Sequence, residues 1–243
     1  MKDSLFKIIS NKQIAKNTYE CVLSGDISEI TSPGQFVNIK LDGFYLRRPI
    51  SVCDARDGRL TLIYKVVGKG TAKMAETGEG AEWLTLTGLG NGYDLDRCGD
   101  KPLLIGGGAG VPPMYMTARL LAERGITPTV ILGFNTADEV FYKEEFEALG
   151  AKVIVATADG SVGVKGFVTD AMAGLEYTHF YTCGPEPMLK AVYNASTTSG
   201  QFSFEERMGC GFGACMGCSC ETKYGNKRIC RDGPVLVKEE IIW

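Results

Sequence analysis

The chain has 243 residues, of which 44% are hydrophobic and 23% are charged, and this composition excludes a largely disordered protein. Lys and Arg number 26 against 29 Asp and Glu, and the resulting net charge of −3 argues against nucleic acid as a main partner, since phosphate binding needs a basic surplus. Neither a membrane span nor a signal peptide is recognisable, so we expect an unexported, cytoplasmic protein without membrane association.

Residues 1–99 carry short apolar runs separated by turn signals such as Pro33-Gly34 and Asp57-Gly58. The spacing of these runs predicts a small antiparallel barrel or sandwich, with one helical stretch at Thr71–Glu76. The predicted strands are Leu5–Ile9, Tyr19–Leu23, Phe36–Leu41, Ile50–Cys53, Leu60–Val67 and Trp83–Leu86.

A pair of arginines stands beside a proline in the middle of this segment, in the run Arg47-Arg48-Pro49-Ile50-Ser51. Arginine side chains can donate two parallel hydrogen bonds to a pyrophosphate, and Ser51 adds a hydroxyl and a backbone N–H. Alone, the run would indicate only a surface arginine pair. The motifs further along the chain favour the pyrophosphate interpretation.

Residues 100–203 alternate between strand and helix signals, which predicts a parallel sheet covered on both faces, with ligands at the carboxyl ends of its strands. The predicted strands are Leu103–Ile105, Thr129–Leu132, Val153–Ala156 and His179–Thr182. The predicted helices are Pro112–Arg124, Glu139–Leu149, Lys165–Ala173 and Pro185–Ser196.

Two loops follow predicted strands of this segment. The first, Gly106-Gly107-Gly108-Ala109-Gly110, leads into a helix and would place backbone N–H groups against a phosphate, although Val111 and Pro112 break the G-x-G-x-x-G pattern. The second is Cys183-Gly184-Pro185. Each loop alone could be only a tight turn. Two such loops at one edge of a sheet are stronger evidence for a nucleotide site than one. The loop 133–138 contains no Arg or Lys, which favours NAD over NADP.

Five of the nine cysteines lie between Cys210 and Cys230. Without Cys220, their spacing is C-x4-C-x2-C-x11-C, whose first part matches plant-type [2Fe–2S] proteins. Structural zinc is the alternative, but zinc sites usually present two short cysteine pairs. A thioredoxin-like Cys215-x-x-Cys218 leaves the neighbouring thiols unexplained.

Cys220 is an extra thiol, either packed or solvent-facing, or else a substitute ligand for Cys218. We expect Cys21, Cys53 and Cys98 to be packed apolar residues. The single histidine, His179, lies in a predicted strand and is expected to pack in the core rather than act in catalysis.

Four motifs, in this order and spacing, resemble the ferredoxin-reductase superfamily. They are R-P-x-S at Arg48–Ser51, G-K-G-T at Gly68–Thr71, G-G-G-x-G-V-P-P at Gly106–Pro113 and C-G-P at Cys183–Pro185. With the cysteine-rich tail ending in Cys230-Arg-Asp-Gly-Pro-Val, essentially the whole chain resembles the electron-transfer subunits of NAD-linked dihydroorotate dehydrogenases. The resemblance implies an FAD-binding β-barrel (1–99), an NAD-binding α/β domain (100–203) and a small [2Fe–2S] domain (204–243).

The same resemblance implies roles for particular residues. Arg48 would bind the FAD pyrophosphate, Ser51 would lie near the reactive edge of the flavin, and Cys210, Cys215, Cys218 and Cys230 would ligate iron. The cofactor-binding residues implied in this way are Arg48, Pro49, Ile50, Ser51, Ile63, Tyr64, Lys65, Gly70 and Thr71 for FAD, and Gly106, Gly107, Gly108, Ala109, Gly110, Cys183, Gly184 and Pro185 for NAD.

The implied function is electron transport in pyrimidine biosynthesis. An FMN-containing catalytic subunit would oxidise dihydroorotate, and its electrons would pass through the [2Fe–2S] cluster and FAD to NAD⁺, in a heterotetramer of two catalytic and two electron-transfer subunits. No catalytic acid or base is expected in this chain. The alternatives are the small subunit of an NADH-dependent ferredoxin–NADP or sulfite reductase and, in another class, a zinc-stapled nucleotide-binding regulator.

The tail also carries Lys223, Lys227, Arg228 and Arg231 close to the cysteines. This basic group is either a docking patch for an acidic partner surface or a solvated hairpin.

Overall fold

The computed structural model describes residues 1–243, and its first part is a closed antiparallel barrel in the order β1-β2-β5-β4-β3-β6. The predicted barrel is therefore confirmed. The barrel interior is filled by alternate side chains of the strands, including Phe6, Val37 and Leu62. The six strands are β1 (Lys2–Ala15), β2 (Thr18–Ser24), β3 (Phe36–Ile39), β4 (Arg48–Arg56), β5 (Arg59–Lys65) and β6 (Glu82–Leu89).

A short helix, α1 (Lys69–Ala75), follows β5 and begins two residues before the predicted stretch. Its start is stabilised by Thr71, whose Oγ1 accepts hydrogen bonds from the backbone N–H groups of Val67 and Gly68. This turn places Gly70 in a buried position beside β4.

The second part is a seven-stranded sheet in the order β10-β9-β8-β7-β11-β12-β15, parallel except for its last strand pair, as the alternating pattern predicted. None of its helices is long and apolar enough to cross a membrane. The strands are β7 (Pro102–Gly107), β8 (Thr129–Phe134), β9 (Lys152–Thr157), β10 (Val164–Lys165), β11 (His179–Cys183), β12 (Gly200–Ser203) and β15 (Val235–Val237). The helices are α2 (Val111–Glu123), α3 (Lys143–Ala148), α4 (Val168–Met172) and α5 (Glu186–Ala195).

Two predicted helices of this segment are wrong in extent. The helix expected over Glu139–Leu149 begins only at Lys143, because Tyr142 adopts a left-handed conformation with φ of 65° and Val140 is extended. The segment Lys165–Ala173 begins as the end of strand β10 and becomes helical only at Val168.

The tail forms a hairpin of β13 (Ser219–Thr222) and β14 (Gly225–Arg228), followed by the single turn α6 (Ile229–Asp232). The two strands pair antiparallel from Ser219 with Arg228 to Thr222 with Gly225. Strand β15 then pairs antiparallel with β12, so residues 204–234 leave the sheet from one strand and return beside it. This strand pair was not expected from the sequence.

The barrel and the sheet meet in a polar and apolar seam. Helix α2 lies against β4, and Arg119 of α2 donates to Asp54 of β4 at 2.9 Å, with both side chains less than a tenth exposed. Ile63 of the barrel belongs to the same buried cluster as Leu104 and Tyr181 of the sheet. The contact between the barrel and the sheet therefore combines a buried ion pair with apolar packing.

The residues predicted to be plain core residues are buried. Cys21, Cys53 and Cys98 are all buried, as expected. His179 is also buried, where it lies within hydrogen-bond distance of Gln201 and packs edge-on against Tyr181. Burial lowers the pKa of its imidazole, which favours the neutral form.

Candidate functional site

A cavity of about 400 Å³ lies between the barrel and the sheet, within the size range of cofactor sites. It brings together residues from β4, β5, the start of α1 and the glycine loop after β7. The predicted cofactor-binding residues that line it are Arg48, Pro49, Ile50, Ser51, Ile63, Tyr64, Lys65, Thr71 and Ala109. Sequence motifs more than fifty residues apart therefore form one wall.

The Arg48 guanidinium is seated between the barrel and α1. Its Nη1 donates to the carbonyl oxygen of Leu46 at 2.6 Å, and its Cζ lies 4.8 Å from the centre of the Phe44 ring. A Cβ atom at Gly70 would stand only 1.9 Å from Arg48 Nε, so this seat requires glycine. The remaining nitrogen donors of Arg48 have no acceptor within the protein, which suits a residue that binds a pyrophosphate.

The two predicted nucleotide loops lie side by side, because β7 and β11 are neighbouring parallel strands and Cys183 pairs with Gly106. The expectation that both loops share one sheet edge is confirmed. A Cβ atom at Gly110 would lie 2.1 Å from the carbonyl oxygen of Cys183, so close loop packing already accounts for this glycine. Nucleotide binding by Gly106–Gly110 and by Cys183–Pro185 stays a prediction.

Cys183 itself is almost fully buried, and this burial raises the pKa of its thiol well above the usual range. The side chain is therefore a neutral thiol at physiological pH.

The first two predicted iron ligands form a pair at the surface. Partial burial acts to raise the pKa of the Cys210 thiol, but hydrogen bonds from the backbone N–H groups of Phe212, Cys215 and Ala214 outweigh it and lower this pKa to about 6. The N–H groups of Ala214 and Cys215 lie 3.2 and 3.4 Å from Cys210 Sγ. The thiolate, which is the form that binds iron, is thus favoured at Cys210.

The other two predicted ligands, Cys218 and Cys230, form a second pair that is buried. The backbone N–H of Cys230 lies 3.4 Å from Cys218 Sγ, and burial is the main reason that the pKa of the Cys230 thiol rises to about 12. No three His, Cys, Asp or Glu side chains are gathered closely enough to hold a metal ion as they stand. Two cysteine pairs match a [2Fe–2S] cluster, where each iron takes two protein ligands, whereas a structural zinc takes four donors around one ion.

The segment from Cys210 to Cys218, here called the cysteine loop, is tied to the rest of the protein at two carbonyl oxygens. Asn38 Nδ2 of the barrel donates to the Cys210 oxygen at 3.2 Å, and Arg228 Nη1 donates to the Gly213 oxygen at 2.9 Å. Gly211 has a φ of 78°, and a Cβ atom there would lie 2.3 Å from Asn38 Nδ2. The loop thus needs glycine here to approach the barrel.

Cys220 is placed apart from the two pairs. It lines a separate cavity of about 260 Å³ together with Trp243 and Leu236, and none of the four predicted ligands lines that cavity. Burial raises the pKa of the Cys220 thiol, which favours the protonated form. Of the two alternatives left open by the sequence, the packed thiol agrees better with these surroundings.

Several residues of the larger cavity were missed in the sequence analysis. Burial raises the pKa of one of them, the Glu205 carboxyl. Strand β12 ends at Ser203, at the same sheet edge as the two nucleotide loops, so a strand signal there would have pointed to them. The missed residues are Phe36, Val67, Ser203, Phe204, Glu205, Glu206, Met208 and Pro234.

Most of the basic group of the tail has ion-pair or hydrogen-bond partners within the chain. Lys227 pairs with Glu240, Arg228 pairs with Asp232 at 3.0 Å, and Lys223 Nζ donates to the Glu239 carbonyl oxygen at 2.8 Å. Three of the four cations thus have internal partners, which does not support a free positive patch. The alternative of a solvated hairpin agrees better with the structure.

Comparison with known proteins gives matches along the whole chain. Residues 205–242 match the iron-sulfur cluster binding domain of dihydroorotate dehydrogenase B, and residues 104–194 match the oxidoreductase NAD-binding domain. The chain is 45% identical to the dihydroorotate dehydrogenase B (NAD(+)) electron transfer subunit of Fusobacterium nucleatum, over 95% of each chain. It is 43% identical to the subunit of the same name from Geobacillus sp. strain WCH70, over 100% of this chain and 99% of that one.

Solved structures agree with this fold. The structure of an NADH-dependent reduced ferredoxin-NADP oxidoreductase superposes with a TM-score of 0.90 and 31% identity, over 99% of this chain and 90% of that one. A ferredoxin NADP+ reductase from Neisseria gonorrhoeae with bound FAD and NADP superposes with a TM-score of 0.70 and 18% identity, over 80% and 90%. The second likeness concerns the fold alone.

Proposed function

Since this chain belongs to the family of dihydroorotate dehydrogenase B (NAD(+)) electron transfer subunits, we propose that it carries to NAD⁺ the electrons that a separate FMN-containing subunit takes from dihydroorotate. The chain is accordingly an oxidoreductase subunit that works with a catalytic partner. The observation that carries the proposal is that the cofactor cavity and the first predicted iron ligand are close together along the chain. The cavity wall includes Met208, and Cys210 follows two residues later.

When bound, the [2Fe–2S] cluster supplies one-electron transfer, and the FAD couples single electrons to a two-electron hydride exchange with NAD⁺. The residues of this chain bind and orient these groups. Arg48 would donate to the FAD pyrophosphate, and Ser51 would lie beside the flavin edge. Ile63, Tyr64 and Lys65 would line the flavin, and Gly70 and Thr71 would hold its phosphates.

The remaining assignments follow the same division of the chain. Residues 1–99 bind FAD, residues 100–203 bind NAD between Gly106–Gly110 and Cys183–Pro185, and residues 204–243 hold the cluster. Cys210 and Cys215 would hold one iron, and Cys218 and Cys230 would hold the other. The cytoplasmic location expected from the sequence stays a prediction.

We place the docking surface for the catalytic subunit on the cysteine loop. Phe212 and Met216 are about half exposed there, on either side of the exposed Cys215, and three of the four basic residues nearby already have partners within the chain. Single electrons cross protein only over short distances, so the partner must approach the loop closely. We expect two electron-transfer chains to flank two catalytic subunits, because dimeric catalytic cores are common among oligomeric enzymes.

A second function is favoured by one observation, the TM-score of 0.90 with the ferredoxin-NADP oxidoreductase subunit. In that case the partner would exchange electrons with ferredoxin instead of dihydroorotate. The higher identity to the dihydroorotate subunits, 45% against 31%, favours the first function.

The deciding experiment is anaerobic purification of the chain with the partner that accompanies it in its own cell. We expect about two irons and one FAD per chain, an FMN on the partner, and dihydroorotate-dependent reduction of NAD⁺. Iron and flavin without dihydroorotate activity would transfer the proposal to the ferredoxin-linked function. A colourless protein containing zinc would refute both.

A further inference from the structure

Asn38 occupies an unusual position for a polar residue of the barrel. In strand β3, Val37 and Ile39 point into the barrel core, whereas Phe36 and Asn38 lie on the opposite face. A residue on that outer face of a barrel is ordinarily accessible to water. Asn38 is nevertheless only 2% exposed, because the cysteine loop covers it.

The contact between Asn38 and the loop is as close as the backbone allows. Asn38 Nδ2 donates to the carbonyl oxygen of Cys210 at 3.2 Å. The next residue is Gly211, where even a Cβ atom would lie 2.3 Å from the same nitrogen. The amide therefore touches the backbone of the first predicted iron ligand directly.

The same residue is joined to the cofactor cavity through the sheet. Asn38 pairs across strands with Pro49, and both Pro49 and Phe36 line the cavity. The backbone hydrogen bonds of β3 and β4 make this connection stiff. One side chain thus links the Cys210 end of the cysteine loop to a wall of the flavin cavity.

The contact is retained although it leaves a polar atom unsatisfied. Asn38 Oδ1 is buried and has no hydrogen-bond partner. Buried amide oxygens are normally paired, so a buried asparagine with one free acceptor is a poor choice for stability alone. A nonpolar side chain would fill the same space without that cost.

We propose that Asn38 is a positioning residue that fixes Cys210, and with it one edge of the iron–sulfur cluster, relative to the flavin cavity. This inference rests on the proposed ligation of iron by Cys210. Loss of the amide donor frees the Cys210 carbonyl and loosens that end of the loop. The consequence is a cluster that is less uniform in its surroundings and less firmly held.

The experiment compares two variants of Asn38 with matched variants of Gln201, in the complex that contains flavin and iron. Asn38→Asp keeps the shape of the side chain but replaces the donor with an acceptor. Asn38→Ser gives a side chain too short to reach the Cys210 carbonyl oxygen. Gln201 is also 2% exposed and donates to a backbone oxygen, that of Asp94 at 2.8 Å, but lies away from the cysteine loop. Gln201→Glu and Gln201→Ser are therefore the controls.

Three readouts are followed: the electron paramagnetic resonance spectrum of the reduced cluster, its midpoint potential and the rate of iron release to a chelator. We expect both Asn38 variants to release iron on the order of ten times faster, with a broadened or shifted spectrum, because partners of metal ligands have effects of this size. The Gln201 variants should match the unaltered protein.

The inference is overturned if the Asn38 variants give the unaltered spectrum, potential and iron release. It is also overturned if the Gln201 variants lose iron equally fast, which would indicate general destabilisation. Failure of both Asn38 variants to yield a folded, flavin-containing protein would assign Asn38 to folding instead. Absence of iron from the unaltered protein would refute the proposed function itself, which keeps the two failures distinct.

Discussion

Cys218 and Cys220 are two residues apart but have different surroundings, which gives a test of ligand assignment at a single side chain. We expect Cys218→Ser to lose most of the iron and the visible absorption of the cluster, leaving that of the flavin, because a buried ligand of the second pair is removed. Cys220→Ser should retain both, since Cys220 lines the other cavity. Iron analysis and absorption spectra decide it, and loss of iron from Cys220→Ser alone would exchange the two assignments.

The seat of Arg48 gives a second test at residue scale. In Gly70→Ala, the added methyl group would meet Arg48 Nε, displace the guanidinium and weaken FAD binding on the order of tenfold, the value of one charged hydrogen bond. Alanine is the better helix former, so α1 itself should not suffer. Gly78→Ala is the control, because its methyl group would meet no atom within 4 Å. Equal FAD affinity for both variants, measured by flavin fluorescence, would contradict the role of Arg48.

Residue-scale prediction is possible where a short motif contains the chemistry. Arg48–Ser51 could be singled out because neighbours in sequence act together, and all four line the cavity. Their roles, and the ligation of iron by the cysteines, stay predictions. Asn38 could not be recognised in this way, because its contact is with Cys210, which lies 172 residues later in the chain. Its hydrophobic strand context predicts only a half-buried position.

At the scale of elements, we expect the loops after β8 and β9 to discriminate between NAD and NADP. Asp138 and Glu139 are paired with Lys16 and Lys65, so their charges are already compensated. Asp159 forms no ion pair, and a hydrogen bond from Ser161 is the main reason that the pKa of its carboxyl falls below the usual range. This group is ionised at neutral pH, and we expect it to repel a 2′-phosphate.

The predicted consequence is a kcat/KM for NADH about tenfold or more above that for NADPH, because like charges brought together are costly. Asp159→Asn should narrow this ratio. Asp100→Asn, at the opposite edge of the sheet, should leave it unchanged. Steady-state rates with both coenzymes provide the measurement, and equal use of NADPH by the unaltered protein would refute the assignment to NAD.

Elements with a strong apolar period could be predicted, and those that depend on their neighbours could not. The six barrel strands and α2 follow from local pattern. Strand β15 has three residues and is stable only because β12 lies beside it. The late start of α3 depends on Tyr142, whose left-handed backbone accompanies a 2.6 Å hydrogen bond to Glu20 of the barrel, a contact that no local window contains.

At the scale of the whole molecule, the buried ion pair of Asp54 and Arg119 holds the barrel against the sheet. Arg119→Met should lower the free energy of unfolding by about 3 kcal/mol, since it leaves a carboxylate buried without its main partner. Replacement of both residues by leucine should recover most of this loss. Urea unfolding of the flavin-loaded protein provides the measurement.

The control for this pair is Lys16→Met, which breaks the exposed pair with Asp138 across the same seam and should leave stability unchanged. If Arg119→Met is as stable as the unaltered protein, the two parts are held by apolar packing alone.

The return of β15 beside β12 has a consequence for how the protein is made. Residues 204–234 connect two adjacent strands of one sheet, β12 and β15. The two ends of this segment are therefore held by strand pairing rather than by the iron ligands. The barrel and the sheet can therefore complete their folding first. The cysteine loop is then offered at the surface, with Cys215 exposed, to whatever machinery assembles and delivers clusters in the cell. We therefore expect insertion of the cluster to be separable from folding of the barrel and the sheet.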